Sequence, residues 1–328
     1  MKTAVVTAIG SFSADIVIKN LKQQGIRVIG CDIYPKEWIA NSLLADAFYK
    51  VPYASEEETY MEKLLTICRD EEAELLLVLT DAEVDVLNRY RQELYEAEIL
   101  LCLPSEWSLG LCRDKRRLAS FLEERGIGNP IKTMPLFEAL PKELSYPAVV
   151  KPYNGRSSQG LRYLHSPEEM QAFLETEASE DLIVQPLMNG KVVTADVVRQ
   201  AETGQCAVIL RRELLRTLNG AGTSVQIFRN LKLEEECRRV AEALQVNGCV
   251  NFEFIEGEDG KYHMLECNPR FSGGVKFSCM AGYDCVANHL RCFTGEPMEE
   301  PGEIACMYIA RKYEEYVTGQ DGEEGEGK

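Results

Sequence analysis

Two acidic clusters near the end of the chain are the residues best placed to do chemistry. VNFEFIE (250–256) and YHMLECNPR (262–270) read as adjacent strands joined by the turn GEDG (257–260). Residues two apart in a strand share a face, so Glu266 and Asn268 point the same way, and the turn brings Glu253 beside them. Two carboxylates and an amide oxygen on one sheet face make a hard-oxygen site suited to Mg²⁺ with a bound phosphate. The same alternation sends Cys267 to the opposite face, as a core thiol rather than a nucleophile.

A second group lies upstream. VVKPYNGRSSQG places Lys151 at a strand end, followed by a loop containing Gly155, Ser157, Ser158 and Gly160. Small residues let backbone amides approach phosphate oxygens, and serine hydroxyls add donors. The lysine precedes the loop and strands flank it on both sides, so this is not the GxxxxGK[ST] phosphate loop. A plain Gly/Ser hairpin has the same composition; the lysine and the distant acidic cluster set this one apart. His165, His263 and His289 have no partner in sequence that would make a base of any of them, and read as ordinary surface or core histidines.

The elements that must position these groups follow from periodicity. A strand at 3–10, a helix over 14–24 stopped by Gly25, a strand at 27–34, a helix over 57–70, a strand at 74–80, a further helix and a strand at 98–104 make a βαβα order. That order predicts a parallel sheet covered on both faces. GSFSAD (10–15) and Asp32 have the placement of a dinucleotide site, but GxGxxG is missing and the pyrophosphate turn needs those glycines, which disfavours NAD. Further on, the pattern predicts one helix over 112–127 ending at Gly126 and Gly128, strands at 146–152 and 161–165, and a helix opened by a Ser166/Glu169 capping box. Successive strands within 182–212 and an amphipathic helix over 233–246 precede the acidic pair.

Composition sets outer limits. At 328 residues with 45% hydrophobic and 27% charged residues, the chain is expected to fold as two or three domains of an ordinary soluble protein. No run approaches the ~20 apolar residues of a membrane helix, and the first residues lack a signal-peptide core, so the expected location is the cytoplasm, with no membrane partner. Twelve cysteines without a CxxC pair read as reduced, mostly buried thiols. Thirty-six basic against 53 acidic residues, a net charge of −17, argues against nucleic-acid binding. The Gly/Glu-rich tail 314–328 holds six acids and one lysine, leaves −12 on the body, and is expected to be disordered.

Taken in order, Asp114–Lys115, VKP…GxSSxG (149–160), VQPL (184–187), GCVNFEF (248–254) and LECNPRFSGG (265–274) resemble the ATP-grasp superfamily. The last two blocks are most similar to the large subunit of carbamoyl-phosphate synthetase and its stand-alone carboxylate–amine ligase relatives. The resemblance spans roughly residues 1–300. It implies an α/β fold: a parallel-sheet preATP-grasp domain (1–110), then a two-lobed α+β ATP-grasp domain (111–183 and 184–313) and the tail (314–328).

The resemblance also implies roles. Lys115 and Lys151 would contact ATP phosphates, with Gly155, Ser157, Ser158 and Gly160 folding over the β- and γ-phosphates. The backbone of Val184, Gln185 and Leu187 would pair with adenine; Glu253, Glu266 and Asn268 would hold Mg²⁺, as two ions, with Mn²⁺ as a substitute. Arg270, two residues beyond Asn268 on the same strand face, would join Lys151 as a catalytic group beside the transferring phosphoryl. Pro186 and Lys191–Val192–Val193 stand where family members carry the acids that hold the ribose. Arg211 and Arg212, with Gly222, could meet a substrate carboxylate or acyl phosphate; a hairpin with solvated arginines fits nearly as well.

The expected function is an ATP-dependent, ADP-forming ligase that phosphorylates a small-molecule carboxylate and joins it to an amine, in a homodimer. Phosphorylation of bicarbonate or carbamate is the alternative within the same chemistry. A catalytically silent nucleotide-binding protein is the alternative outside it.

Overall fold

The computed structural model describes residues 2–155, 159–177, 179–218 and 220–320, so Ser157 and Ser158 of the expected phosphate loop lie outside the described residues. Three sheets organise the chain. The first is parallel and five-stranded, in the order β3-β2-β1-β4-β5, from β1 (Thr3–Val6), β2 (Arg27–Asp32), β3 (Ala47–Lys50), β4 (Leu75–Leu77) and β5 (Leu100–Leu101). Helices α1 (Ala14–Gln23), α2 (Glu57–Asp70), α3 (Asp81–Arg89) and α4 (Arg91–Glu96) cover it. α1 buries Ala14, Val17, Ile18 and Leu21, the i, i+3, i+4, i+7 stripe of a helix lying on a sheet. β3 carried no alternating pattern because it is a half-exposed edge strand.

The helix expected over 112–127 is α6 (Lys115–Arg125), which starts three residues later than expected; a separate helix, α5 (Glu106–Cys112), precedes it. Asp114 sets that start, because its carboxylate accepts from the backbone N–H of Arg116 and Arg117 and so caps a new helix. Gly126, at φ +61°, closes α6 in the left-handed conformation. A four-stranded antiparallel sheet follows in the order β6-β9-β7-β8: β6 (Met134–Pro135), β7 (Ala148–Pro152), β8 (Arg162–Leu164) and β9 (Leu182–Pro186). It is backed by α7 (Pro167–Thr176), capped by Ser166.

The third sheet is six-stranded and antiparallel, in the order β14-β13-β10-β11-β12-β15. Its strands are β10 (Gly190–Arg199), β11 (Cys206–Arg216), β12 (Gly222–Phe228), β13 (Gly248–Gly257), β14 (Tyr262–Asn268) and β15 (Tyr308–Ala310). Helix α8 (Leu231–Ala243) packs with α6 on one face; α9 (Val275–Met280) and α10 (Cys285–Thr294) occupy the other. That second face shares a core with the parallel sheet: Val6, Ile18 and Leu77 cluster with Ile209, Val225, Phe271 and Val286. Each such side chain removed from water stabilises by about 1.5–3 kcal/mol, so the first sheet is fixed against the third. Asn20 donating to Asp284 at 2.5 Å and Lys276 meeting Asp15 at 2.7 Å tie the same faces together.

All twelve cysteines are free thiols, and Cys267 is buried in the core under α8, as alternation predicted. Among the described residues no helix is long and apolar enough to cross a membrane. Asp32 is engaged structurally: it accepts from the N–H of Gly10 at 2.8 Å and of Tyr34 at 3.2 Å. Within the tail expected over 314–328, Thr318 donates to the carbonyl of Glu37, and residues 321–328 lie outside the described residues.

His289 on α10 is buried between Phe271 and Phe293, and its Nδ1 accepts from Cys249 N–H at 2.8 Å. Burial lowers its pKa from the ordinary 6.5 to about 3. The unfolded chain therefore binds a proton that the folded chain refuses as pH falls from 6.5 towards 3. Stability is full above pH 6.5 and declines below it by about 1.4 kcal/mol per pH unit from this group alone. Comparing urea unfolding of wild type and His289→Gln between pH 6.5 and 5 should show that slope only in the wild type.

Candidate active site

The acids and amides of the cleft trace back to cross-strand pairings. β13 and β14 place Glu253 directly opposite Glu266 and Asn251 opposite Asn268. A register shift after Glu253 bends the ladder at this point, which re-aims side chains without changing the pairing of the two acids. On its other edge β13 pairs with β10, setting Thr194 opposite Glu253. These residues line a cleft of about 730 Å³ whose other walls come from the first sheet's loops, β7 and the β11–β12 hairpin.

Lys115 and Lys151 enter from the opposite side. Lys115 is the first residue of α6; its Nζ lies 3.1 Å from Glu266 Oε2 and donates to the Gly155 carbonyl at 2.8 Å. Lys151 lines the cleft from β7, and burial, with Lys115 nearby, brings its pKa down to about 8. Burial and the Glu266 carboxylate raise the pKa of Glu253, against the pull of Arg216. For Glu266 burial acts in the same upward direction, but the ammonium groups of Lys115 and Lys151 outweigh it and hold its carboxyl below the usual range. Asn268 donates to Glu266 Oε1 at 3.3 Å.

Arg270 lies beyond the end of β14 rather than on it: the strand stops at Asn268, whose carbonyl accepts from Arg270 N–H at 2.8 Å. The turn nevertheless brings the guanidinium into the cleft, where Asp81 holds its Nη2 at 2.5 Å. Asp81 also faces Arg113 Nη1 at 3.6 Å, and Arg113 grips Asp85 through Nε and Nη2 at 2.7 and 2.9 Å. The parallel sheet thus supplies the acid that orients Arg270.

Several expected positions fall elsewhere. Arg212 does not line the cleft; alternation along β11 turns it to the opposite face, where it makes a two-pronged pair with Glu256 at 2.9 Å and stacks over Phe228. Arg211 borders the cleft but is 1% exposed, with Nη1 held by Asp196 and Ser278 and Nη2 by Ser272, so it braces the 272–274 loop. Val184, Gln185 and Leu187 do not line the cleft either: Val184 sits between β6 and β7, Gln185 binds Thr133, and Leu187 N–H donates to Pro147. Gly155 and Gly222 do line it; Gly160, at φ +69°, shapes the loop behind.

Residues not anticipated include Asp81, Arg113, Thr194, Asn251, Glu213 and Arg216. Asn251 was legible, being two residues before Glu253 on the same strand face. Asp81 and Arg113 were not, because nothing in spacing ties residue 81 to residue 270.

As to a metal, no group of three or more His, Cys, Asp or Glu side chains is assembled anywhere among the described residues. Glu253 and Glu266 with the amide oxygens of Asn268 and Asn251 are an oxygen-only donor set, which fits a hard divalent cation shared with phosphate oxygens. Burial, and then the neighbouring Glu266 carboxylate, disfavour the charged form of Glu253, and a bound cation would offset both.

Residues 178–315 match the family model described as ATP-grasp in the biosynthetic pathway with Ter operon. That stretch is similar to ATP-grasp domains. Ahead of it, residues 7–102 match the PylC-like N-terminal domain. The chain is 23% identical over 302 residues to the carbamoyl phosphate synthase large chain of Clostridium beijerinckii and 25% identical over 299 residues to that of Neisseria meningitidis. Those matches take in 87% and 86% of this chain but 27% of each relative, so it spans about a quarter of the length of the curated relatives it matches. In fold it is similar to the biotin carboxylase of Campylobacter jejuni (TM-score 0.78, 16% identity, 92% of this chain and 73% of that one). It is likewise similar to N5-carboxyaminoimidazole synthetase of Staphylococcus aureus (TM-score 0.73, 14% identity, 93% and 80%).

The Arg113–Asp81–Arg270 relay carries a stability test. Asp81 is 3% exposed, and removing its charge takes from Arg270 its hydrogen-bonded counter-ion, leaving only the less direct attraction of Glu253 and Glu266. In chemical denaturation, Asp81→Asn should cost about 3 kcal/mol; a loss below about 1 kcal/mol would show that Arg270 finds other compensation.

Proposed function

We propose that the protein is an ATP- and Mg²⁺-dependent ligase that activates a carboxylate as an acyl phosphate and joins it to an amine, releasing ADP and phosphate. The observation that carries this reading is the convergence, in one cleft, of Lys115, Lys151 and Arg270 on the face that presents Glu253, Glu266 and Asn268. Cations opposite oxygen donors suit a triphosphate whose terminal group must be held, neutralised and passed on. The enclosure provided by the first sheet's loops supports it too, since an acyl phosphate exposed to water hydrolyses.

Within this reading, Lys115 and Lys151 bind the phosphates, and Gly155 leaves room for the loop backbone to approach them. Glu253, Glu266 and Asn268 would hold Mg²⁺, as two ions with Mn²⁺ as a substitute, and the metal would supply neutralisation of phosphate charge. Arg270, oriented by Asp81, faces the oxygens on which charge grows as the phosphoryl group moves to the carboxylate. The amine then attacks the acyl carbon and phosphate leaves. A parallel-sheet domain (1–110), two lobes (111–183 and 184–313) and the tail (314–328) are the domains we assign, with the enzyme in the cytoplasm as a homodimer. The 2-oxoglutarate carboxylase biotin carboxylase domain of Hydrogenobacter thermophilus, similar in fold, is itself described as a dimer.

Bicarbonate as the carboxyl donor is the second reading. The curated relatives are carbamoyl phosphate synthase large chains, and that same carboxylase domain is described in complex with MgADP and bicarbonate. Incubation with ATP, Mg²⁺ and either bicarbonate or pooled amino acids separates the two. Phosphate release that needs amino acids supports the ligase, and release that needs only bicarbonate supports the second reading. In either case Glu266→Ala should lower turnover by at least about 100-fold, as loss of a phosphate-metal ligand does; phosphate release unaffected by that substitution would contradict both.

A further inference from the structure

The β11–β12 hairpin carries a cation that the reading above leaves unused. Arg216 is the last residue of β11, just past the register shift between Leu215 and Arg216. Its Nη2 lies 3.3 Å from Glu253 Oε2, and its Nε donates to the Gly220 carbonyl at 2.7 Å. The hairpin is closed independently by Thr217, whose Oγ1 accepts from Ala221 N–H at 3.1 Å. Lys115 makes the equivalent contact with the facing acid, Glu266, but the two cations are held differently. The Lys115 side chain is 7% exposed and rooted at a helix start; that of Arg216 is 30% exposed on the rim of the cleft.

A divalent cation ligated by Glu253 draws on the oxygens that Arg216 now contacts. Doubling the charge and shortening the separation from 3.3 Å to about 2 Å makes the cation's attraction roughly three times that of the guanidinium. The two positive charges also repel. Arg216 therefore yields Glu253 while staying tethered to Gly220. The guanidinium then stands over a cleft wall of small groups, Ala221, Gly222 and Gly273, where the remaining acid, Glu213, is already held by Thr194 at 2.8 Å. A partly enclosed guanidinium in that position favours an oxyanion, which it can meet with paired N–H donors.

Resting on the ligase reading for the identity of the occupant, we propose that Arg216 competes with the divalent cation for Glu253 and, once displaced, clamps an oxyanion of the substrate. The hairpin would thereby couple metal binding to recognition of the group that is to be activated. This makes Arg216 a specificity-determining residue whose availability is set by the metal.

Two binding measurements test the idea, neither requiring turnover. The first titrates the full-length protein with Mn²⁺ alone, following free Mn²⁺ by electron paramagnetic resonance. Arg216→Gln should bind Mn²⁺ roughly three- to fivefold more tightly than wild type, the worth of a half-exposed ion pair, and Arg216→Lys should fall between them. Equal or weaker binding in Arg216→Gln would overturn the competition. The second measures inorganic phosphate as the oxyanion probe, by calorimetry with Mn²⁺ and ADP present. Wild type should bind it at least roughly fivefold more tightly than Arg216→Gln, with Arg216→Lys restoring part of the difference. Phosphate that binds all three alike, or does not bind wild type, overturns the clamp. Because both arms read binding, they stand even if no carboxylate is ever turned over, and Arg216→Lys serves should the Gln variant unfold.

Discussion

The structure is arranged around one electrostatic constraint: two carboxylates, Glu253 and Glu266, are register partners on adjacent strands and face the same cleft. Like charges placed directly opposite each other in a sheet destabilise it. Their cost is offset by cations brought from three separate places, Lys115 at the start of α6, Lys151 on β7 and Arg216 on the β11 hairpin. Each of those elements is in turn fixed by its own local device. Asp114 caps α6, the four-stranded sheet holds β7, and Thr217 closes the hairpin. A sheet that keeps such a pair is poised to accept further positive charge, which supports the phosphate and metal site we propose there.

The parallel sheet is more than an appendage to this arrangement. Its face shares a core with the six-stranded sheet, so its loops are held rigidly over the cleft. Through Asp81 it supplies the counter-ion of Arg270, a residue 189 positions later in the chain. The match of the first hundred residues to one family model and of the last half to another describes two sequence units, yet Arg270 depends on both. Bracing of this kind recurs below the cleft, where Arg211, buried against Asp196, Ser272 and Ser278, supports the loop that follows Arg270.

Much was legible in the residues alone. The strand–turn–strand carrying Glu253, Glu266 and Asn268, the inward thiol of Cys267, the parallel order of the first sheet and the start of α7 at Ser166 all follow from periods of 2 and 3.6 and from capping chemistry. Misreadings came where a local rule met a competing one. Asp114 was taken into a continuous helix although its side chain caps a new one. Arg212 was grouped with Arg211 although neighbours in a strand face opposite ways, and Arg270 was placed on a strand that ends two residues before it. The 184–187 segment was read from its motif, whereas its backbone is partly consumed by the surrounding sheet and by Pro147.

By itself, the sequence determined the fold class and the pairing of the two acids on adjacent strands, because each depends on residues within one or two elements of each other. Only the tertiary structure decided which cations face those acids and which acid orients Arg270. Lys115, Lys151, Arg216 and Asp81 reach the cleft from different elements, and their distances depend on how three sheets pack. Periodicity carries no information about such long-range packing: it gives the direction of a side chain relative to its own element, and the shared core gives the position of that element relative to the rest.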